Sequence, residues 1–519
     1  MILYHVLGIF VKVFEMEKRF IKKHLMSISI ILAVILITYG IKLFNLSISI
    51  DNEAAIVSAD SIYNAWNSMG RIGLTFLKKV LGVSVYNPYL AIAFMNVFLL
   101  VTCIIYGSLF DYLLGDLHIF PFLVFSTIFV TSPILAEQLG FVMQSVEVLI
   151  GMCLIGISIF LFYLSLEKNN LIQLLIGILL AGLAFSIYQA LITLFVAVSI
   201  GTVVLYYKKN KPTLRNALIV ILKLIITFLI SVSLYYVVCF IYFRITGLSK
   251  TDYTGDQIGW KTNGIKESLR NILSYLYASY FSKRIFYNYN LLISTILISI
   301  SGINSVIKKE YNFIYYIVIG SLIISPFLMG LILGGTPSVR TELCKVFSIA
   351  FMNMFLVDSL DFYKDNVIKK YMLPALVIIT LLNQSIVTTR LYYTEYITNL
   401  EESSIATKIS NEIGQLSGNY STGQKVIFVG RLQLNRNNSC FKREDLELVG
   451  YSHFEVSFSV VHGSYLMNMY MNTLGNNYLL PTEVEINNLK KDYDEMPSWP
   501  SKGSIKKVND CIIVKLSNE

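Results

Sequence analysis

The stretch LIQLLIGILLAGLAFSIYQALITLFVAVSIGTVVLYY, residues 171–207, decides how the chain is threaded. It contains 37 residues and no charged side chain, whereas a helix that spans a membrane needs about 20 residues. The run is therefore too long for a single membrane crossing, even by a tilted helix. The polar interruption Ser186-Ile187-Tyr188-Gln189 lies at its middle, so the sequence predicts two helices that meet there.

The composition of the whole chain is that of a membrane protein. Of its 519 residues, 55% are hydrophobic and 14% are charged, and the mean hydropathy is +0.62. Soluble proteins have about 45–50% apolar and about 25% charged residues. The excess of 42 Lys and Arg over 33 Asp and Glu is typical of cytoplasmic loops and forms no basic stripe for nucleic acid. The sequence therefore predicts an all-α polytopic membrane protein that does not bind nucleic acid.

Eleven apolar runs are candidates for membrane spans once the long run is divided. An odd number of spans places the two ends of the chain on opposite sides of the membrane. The runs are Leu25 to Phe44, Pro88 to Leu109, Leu117 to Ile134, Val148 to Leu166, Leu171 to Ile187, Leu191 to Tyr207, Ala217 to Phe243, Leu291 to Ile307, Phe313 to Leu333, Val346 to Leu360, and Met372 to Val387.

The positions of Lys and Arg indicate the orientation, because cytoplasmic loops carry an excess of both. With the N-terminus inside, the basic clusters near residues 12–23, 208–215, 308–309 and 364–370 all face the cytoplasm. Residues 1–24 are then a cytoplasmic basic amphipathic segment, and residues 25–389 form the transmembrane domain. Without the division of the long run, every later loop would change sides and violate this rule.

Two long loops, residues 45–87 and 244–290, fall on the outside in this topology. Each contains apolar residues at helical spacing with basic residues between them, which predicts helices that lie at the bilayer surface. In the first loop the apolar positions are Ile62, Trp66, Met69, Leu74, Leu77 and Leu81.

Residues 390–519 have a different composition and predict a small soluble α/β domain outside the membrane. KVIFVG at 425–430 and CIIVKL at 511–516 have the pattern of buried strands. The region contains no Gly-rich phosphate loop, zinc-ligand spacing or nucleophile elbow. Its two cysteines, Cys440 and Cys511, are compatible with a disulfide or with two free thiols.

Polar and ionisable side chains collect at the outer ends of the predicted spans. SISIDNEAAI, residues 47–56, places Asp51 and Glu53 directly after the first span. Charged groups at such positions are costly, which favours a functional site. For Asp51 the alternative is a helix cap, because Asp is among the favoured N-cap residues. The other members of this outer group are Arg71, Glu137, Gln138, Tyr188, Gln189 and Arg340.

These residue types suit transfer of a sugar from a lipid-linked phosphate donor. A carboxylate of Asp51 or Glu53 is the candidate general base for an acceptor hydroxyl. Arg71 and Arg340 are candidates for the donor phosphate, since Arg binds phosphate oxygens in a bidentate manner; for Arg71 the alternative is contact with lipid phosphates in general. The acidic pair is also the candidate site for a divalent metal. The candidates for sugar or acceptor contacts are Trp66, Glu137, Gln138, Tyr188 and Gln189.

The order of motifs resembles one known family. SIDNE at 49–53, NAWNSMGRIG at 64–73, SPILAEQ at 132–138 and SIYQA at 186–190 are similar to the glucosyltransferase II family, bacterial and phage membrane enzymes that glucosylate O-antigen and related surface polysaccharides. The resemblance implies a C-type glycosyltransferase architecture, an undecaprenyl-phosphate-glucose-like donor, a catalytic acidic pair in the first outside loop, and an extracytoplasmic site in a bacterial cytoplasmic membrane. Related enzymes often carry adjacent acids, whereas one residue separates Asp51 from Glu53, so the identity of the base stays open.

The expected function is transfer of a hexose, glucose by the resemblance, from a polyprenyl-phosphate donor to a surface polysaccharide or lipid-linked glycan. A polymerase or ligase of lipid-linked oligosaccharides would use the same chemistry. A flippase or transporter would instead distribute polar residues through the bilayer midplane and show inverted repeats. Few charges beyond Lys223 lie at that depth, and the sequence shows no repeat. The sugar, the acceptor, the need for a metal and the oligomeric state stay open.

Overall fold

The computed structural model describes residues 15–81, 86–251, 255, 257–359, 367–417, 423–456 and 459–518. Most of the predicted N-terminal segment, residues 1–14, therefore lies outside the described residues. Eight of the described helices are long and apolar enough to cross a membrane, and one bent pair makes a ninth. The prediction of a mostly helical membrane protein is confirmed.

All the regular elements that the structure describes between residues 25 and 246 are helices. They are α1 (Leu25–Phe44), α2 (Asn52–Val57), α3 (Ala59–Ser68), α4 (Ile72–Val80), α5 (Pro88–Leu114), α6 (Ile119–Thr131), α7 (Pro133–Gly140), α8 (Val142–Lys168), α9 (Leu171–Ile187), α10 (Leu191–Asn210) and α11 (Leu214–Thr246).

The second part adds further helices and the only described sheet. Its helices are α12 (Gly259–Thr262), α13 (Gly264–Tyr280), α14 (Asn290–Ile307), α15 (Phe313–Ile324), α16 (Leu328–Leu333), α17 (Leu343–Ser359), α18 (Val367–Ser417), α19 (Val460–Thr473), α20 (Glu483–Asn488) and α21 (Lys490–Glu495). Its strands are β1 (Lys425–Val429), β2 (Ile505–Val508) and β3 (Cys511–Lys515).

The long apolar run divides where its polar residues predict. Helix α9 ends at Ile187, and Tyr188 adopts an extended conformation with φ −154° and ψ 121°. Helix α10 then begins at Leu191. The predicted division is confirmed, and it carries Tyr188 and Gln189 to the junction of two helices.

The predicted count of eleven spans is only partly supported. Each of the eleven runs contains a helix, but α9 and α17 have 17 residues each, slightly short of the length that a crossing needs. The run from Leu117 to Ile134 forms α6 and α7, which are bent by 49° at Pro133, a residue that lacks the backbone N–H of a continuing helix. Eight or nine spans meet the criteria of length and composition within the described chain.

Basic and acidic side chains pair at the end of the bundle where α1 begins. Lys23 Nζ lies 2.7 Å from Asp111 Oδ1 and 2.5 Å from Asp116 Oδ1. Lys208 Nζ lies 2.5 Å from Asp358 Oδ2. The 20 residues of α1 extend about 30 Å, so this lysine-rich end is far from Asp51. We refer to the two ends as the lysine end and the Asp51 end.

The first outside loop differs from the single amphipathic helix expected for it. It forms α2, α3 and α4, with a turn at Gly70, whose φ is +80°. Trp66 and Leu74, which were expected to face lipid, are 4% and 0% exposed. The expectation of a lipid-facing stripe at these positions is wrong, because the turn at Gly70 directs both side chains into the protein.

The second outside loop contains the helix expected at the bilayer surface. Helix α13 exposes Ile265, Leu269, Leu273 and Tyr277. Their four-residue spacing places them along one side of the helix, and such a stripe suits contact with lipid.

The C-terminal region is joined to the bundle by α18, which has 51 residues and continues through residue 390 without a break. Both predicted strands are present, as β1 and β3, and they pair in parallel, while β2 pairs with β3 in the opposite direction. The sequence pattern did not reveal β2. Cys440 and Cys511 are both buried free thiols.

Candidate active site

Asp51 and Glu53 lie at the start of α2 and differ sharply in their surroundings. Asp51 has a left-handed backbone conformation, with φ +74°, and its side chain makes no capping hydrogen bond to the described helix. The helix-cap alternative is therefore not realised. Asp51 remains accessible, whereas Glu53 is 1% exposed. One carboxylate is open to a reactant and the other is enclosed by protein.

Glu53 is held by a histidine from the C-terminal region. Its Oε2 atom lies 3.2 Å from His453 Nε2, and His453 Nδ1 lies 3.1 Å from Glu402 Oε1. His453 and Glu402 are 2% and 1% exposed. Burial alone would lower the pKa of His453, but Glu402 and Glu53 outweigh it and raise that pKa to about 10. A carboxylate oxygen faces each ring nitrogen of His453, and this arrangement favours the doubly protonated imidazole, which donates a hydrogen bond to each carboxylate.

The electrostatic environment of Asp51 suits a base. The Asp51 side chain stays accessible, but the protein around it partly desolvates the carboxylate. This desolvation and the charge of Glu53 raise the pKa of Asp51 above its ordinary value, while nearby cations act against the rise. The cations, in order of effect, are Arg340, His453 and Arg71. A raised pKa brings a carboxylate closer to the operating pH, which favours proton transfer.

Arg71 is positioned at the junction between α9 and α10. Its guanidinium stacks on Tyr188, 5.0 Å from the ring centroid, and donates to Gln144 and Gln189, each at 3.4 Å. Gln189 in turn donates to Tyr235 Oη at 3.1 Å. The polar interruption of the long apolar run therefore fixes the orientation of Arg71.

Arg340 occupies a short 3₁₀ turn, residues 339–341, directly before α17. Its guanidinium lies 4.4 Å from the centroid of the Phe141 ring. Glu447 anchors this turn, because its carboxylate accepts the backbone N–H of Val339 at 3.0 Å and the Ser338 hydroxyl at 2.5 Å. A residue of the C-terminal region thus fixes the backbone that carries Arg340.

Both arginines line a cavity of about 930 Å³, within the size range of small-molecule sites. Its polar part contains Arg71, Tyr188, Gln189, Arg340 and Glu447. Its apolar part contains Tyr236, Phe240, Phe243, Met329, Ile332 and Leu333. Several of these apolar side chains are more than half exposed, namely Tyr236, Phe240 and Ile332. The cavity therefore joins a polar end, with two arginines and Glu447, to an apolar side that includes exposed side chains.

The chain matches the family described as Glucosyl transferase GtrII over residues 40–357. This match covers more than half of the chain and includes Asp51, Glu53 and both arginines. The chain belongs to the GtrII glucosyl transferase family. No curated protein and no solved structure matches it, so the C-type architecture stays a prediction.

Membership of the GtrII family agrees with the resemblance noted in the sequence. Together with the long apolar helices, it makes the protein a membrane glucosyltransferase. The matched range ends at residue 357. Glu402, Glu447 and His453 therefore lie beyond the part that the family match covers.

Three residues predicted to contact sugar or acceptor lie elsewhere in this GtrII protein. Trp66 is buried, stacks on Tyr63, and lies 5.8 Å from Lys78 Nζ. Glu137 is 0% exposed and accepts the backbone N–H groups of Leu448 and Val449. Gln138 is also fully buried, and its amide has no hydrogen-bond partner among the described residues. Their proposed contacts with substrate stay predictions, whereas Tyr188 and Gln189 line the cavity.

The described residues of the GtrII protein contain no group of three or more His, Cys, Asp or Glu side chains arranged for a metal ion. Glu53, one of the two candidate metal ligands, faces His453, and a metal ion at the acidic pair stays a prediction.

The sequence did not reveal His453, Glu402 or Glu447. A single histidine and two glutamates in a polar region form no recognisable motif. His453 and Glu53 are separated by 400 residues, so no local pattern connects them. The one general rule that points to such a residue is that a buried carboxylate needs a partner.

Proposed function

We propose that the protein transfers glucose from a polyprenyl-phosphate donor to a glycan at the outer face of the membrane. The observation that carries this proposal is the cavity shared by Arg71 and Arg340. Arginine suits the donor phosphate, and the exposed apolar side suits a polyprenyl chain that enters from the bilayer.

Asp51 is the general base in this proposal. It removes the proton from an acceptor hydroxyl, whose oxygen then forms a bond to the anomeric carbon of glucose. The bond from that carbon to the phosphate oxygen breaks, and polyprenyl phosphate leaves with the bonding electron pair. Arg71 and Arg340 stabilise the charge that develops on the leaving phosphate. Glu53 is less suited to be the base, since it is enclosed and hydrogen-bonded to His453.

The acceptor is proposed to be a surface polysaccharide or a lipid-linked glycan. The lysine end suits the cytoplasmic face because basic residues favour that side, which places the Asp51 end outside. Single cysteines introduced at Ser58 and at Lys209 in a cysteine-free background test this orientation in intact cells. An impermeant thiol reagent should label the Ser58 position only. Labelling of the Lys209 position alone would reverse the proposed orientation.

The donor is tested with purified protein in lipid nanodiscs. We expect transfer of labelled glucose from polyprenyl-phosphate glucose to polysaccharide from cells that lack this protein, with no nucleotide present. UDP-glucose without a lipid donor should give no transfer. Transfer from UDP-glucose alone would overturn the proposed donor.

A further inference from the structure

A segment of the C-terminal region, residues 447–453, lies directly against the site. Its Glu447 anchors the turn that carries Arg340, and its Leu448 and Val449 N–H groups bind Glu137. Val449 packs so closely on Gly140 that no Cβ atom fits there. The segment ends at His453, whose ring contacts Glu53. These contacts place it in the wall of the site, beyond the range of the family match.

His453 is itself fixed on three sides. Its ring stacks on Tyr470, with the centroids 4.4 Å apart and the planes at 17°. Glu402 Oε1 accepts hydrogen bonds from the His453 backbone N–H at 2.5 Å and from the Ser452 hydroxyl at 2.7 Å. Glu402 therefore holds both the backbone and the ring of His453. The imidazole has one orientation in which its Nε2–H group points at Glu53.

The contact with His453 compensates the buried charge of Glu53. Glu53 and Asp51 are separated by one residue, and a buried carboxylate without a partner is costly. Without His453, the other cations that act on the acidic pair are Arg340 and Arg71, through their effect on Asp51. A cation supplied by His453 keeps Glu53 away from the arginines that the donor phosphate needs.

We propose that His453 is a positioning residue for glucosyl transfer, which holds the Glu53 carboxylate in place behind Asp51 and is oriented for this task by Glu402. This inference rests on the proposed function of the acidic pair. It makes the C-terminal region part of the catalytic unit. Because His453 does not line the cavity, its loss should lower kcat and leave the KM for the lipid donor nearly unchanged.

The test is a double-mutant cycle between His453→Phe and Glu53→Gln. The His453→Phe change keeps the stacking on Tyr470 and removes both N–H groups. Misplacement of a catalytic group by about 1 Å costs about 10²-fold in rate, so we expect a loss of kcat of that order. In the Glu53→Gln background the same change should cost less than about threefold, because residues that act through one another are not additive. Additive losses would overturn the proposal.

Arg436→Met is the matched control for a purely structural effect. Arg436 belongs to the same region and forms a buried ion pair with Glu455 at 2.6 Å, but it does not contact the acidic pair in the described structure. We compare all variants at equal amounts of folded protein. If His453→Phe lowers kcat no more than Arg436→Met, the role of His453 is structural and the proposal fails.

Two variants of Glu402 keep the test decisive when Glu53→Gln leaves too little activity for a cycle. Glu402→Gln retains an acceptor for His453 and should keep most of the turnover, whereas Glu402→Leu should match His453→Phe. Equal losses in both Glu402 variants would contradict the positioning role. Full turnover of Glu53→Gln would instead overturn the role of the acidic pair in the proposed function.

Discussion

The ion-paired side chains at the Asp51 end of the bundle are mostly buried, whereas those of the Lys23 pairs at the lysine end are partly exposed. Four ion pairs of the Asp51 end have side chains that are at most 6% exposed, namely Lys42–Glu395, Lys78–Glu147, Glu342–Lys345 and Glu53–His453, whereas a fifth, Arg284–Glu447, is partly exposed. At the lysine end, the side chains of Lys23 and Asp116 are 36% and 67% exposed. Buried pairs carry a desolvation penalty that exposed pairs avoid, so the Asp51 end retains charges at a cost to stability.

The buried ion pairs, with their desolvation penalty, lie next to the candidate active site. Lys42 and Ser49 bind the same carboxylate, Glu395, and thereby fix the backbone that leads to Asp51. Glu342 lies directly after the turn that carries Arg340, and its carboxylate accepts hydrogen bonds from the hydroxyl groups of Tyr275 and Tyr287. Buried charges thus secure the two segments that carry Asp51, the proposed base, and Arg340, one of the two proposed phosphate ligands. At the lysine end, the exposed ion pairs of Lys23 are expected to contribute little to stability.

The largest effect is expected from Asp51→Asn. A positioned general base contributes about 10²- to 10⁴-fold in rate, so turnover should fall by that factor while donor binding stays within about twofold, since the change keeps the shape of the side chain. Transfer and donor binding measured on the same nanodisc preparation check this. Transfer at the wild-type rate would remove Asp51 from the reaction.

A second prediction compares one buried and one exposed lysine. Breaking a buried pair by removal of one partner costs about 3–5 kcal/mol, so Lys42→Met should lower the free energy of unfolding by that amount. Lys23→Met at the lysine end should cost about 0–1 kcal/mol, as for surface pairs. Unfolding by sodium dodecyl sulfate in mixed micelles measures both. Equal losses would show that the two ends do not differ in the way described above.

A smaller effect is expected from Gly70→Ala. The left-handed φ of +80° disfavours a side chain there, and its Cβ would lie 3.0 Å from Tyr235 Oη. Strain of this kind costs about 1–3 kcal/mol, and the turn should relax by moving Arg71. We expect a raised KM for the lipid donor and a lowered kcat, because Arg71 also stabilises the leaving phosphate in the proposed reaction. Gly247→Ala is the control, because Gly247 also has a positive φ but no atom near its Cβ position. An equal rise in KM in both variants would show that the Gly70→Ala effect does not act through Arg71.

Local patterns in the sequence predicted the features that depend on neighbours along the chain. Tyr188 and Gln189 interrupt an apolar run, and that interruption marks both the division of two helices and the position of Arg71. The strands β1 and β3 are continuous apolar segments, and the sequence pattern predicts both. By contrast, β2 has only four residues, and its two exposed lysines are adjacent, between Ile505 and Val508, so it lacks both a continuous apolar run and a strict alternation.

Features that depend on distant contacts were not predictable in this way. Trp66 has the spacing of an interfacial residue, yet the turn at Gly70 directs it into the core. Glu137 was expected to contact substrate, but it holds the backbone of residues 448 and 449. The contact of His453 with Glu53 depends on how α18 returns the C-terminal region to the bundle. Such contacts arise only from tertiary packing.

The most direct test of the account compares the two ends for binding of polyprenyl phosphate. The account predicts saturable binding by the wild-type protein and at least about a tenfold loss of affinity in the double variant Arg71→Ala with Arg340→Ala, since charge-assisted hydrogen bonds contribute about 1.5–3 kcal/mol each. Lys308→Ala with Lys309→Ala, which removes two charges at the lysine end, is the matched control and should bind as wild type does. Loss of binding in the lysine variant, with full binding in the arginine variant, would contradict the claim that the Asp51 end receives the phosphate of the lipid donor.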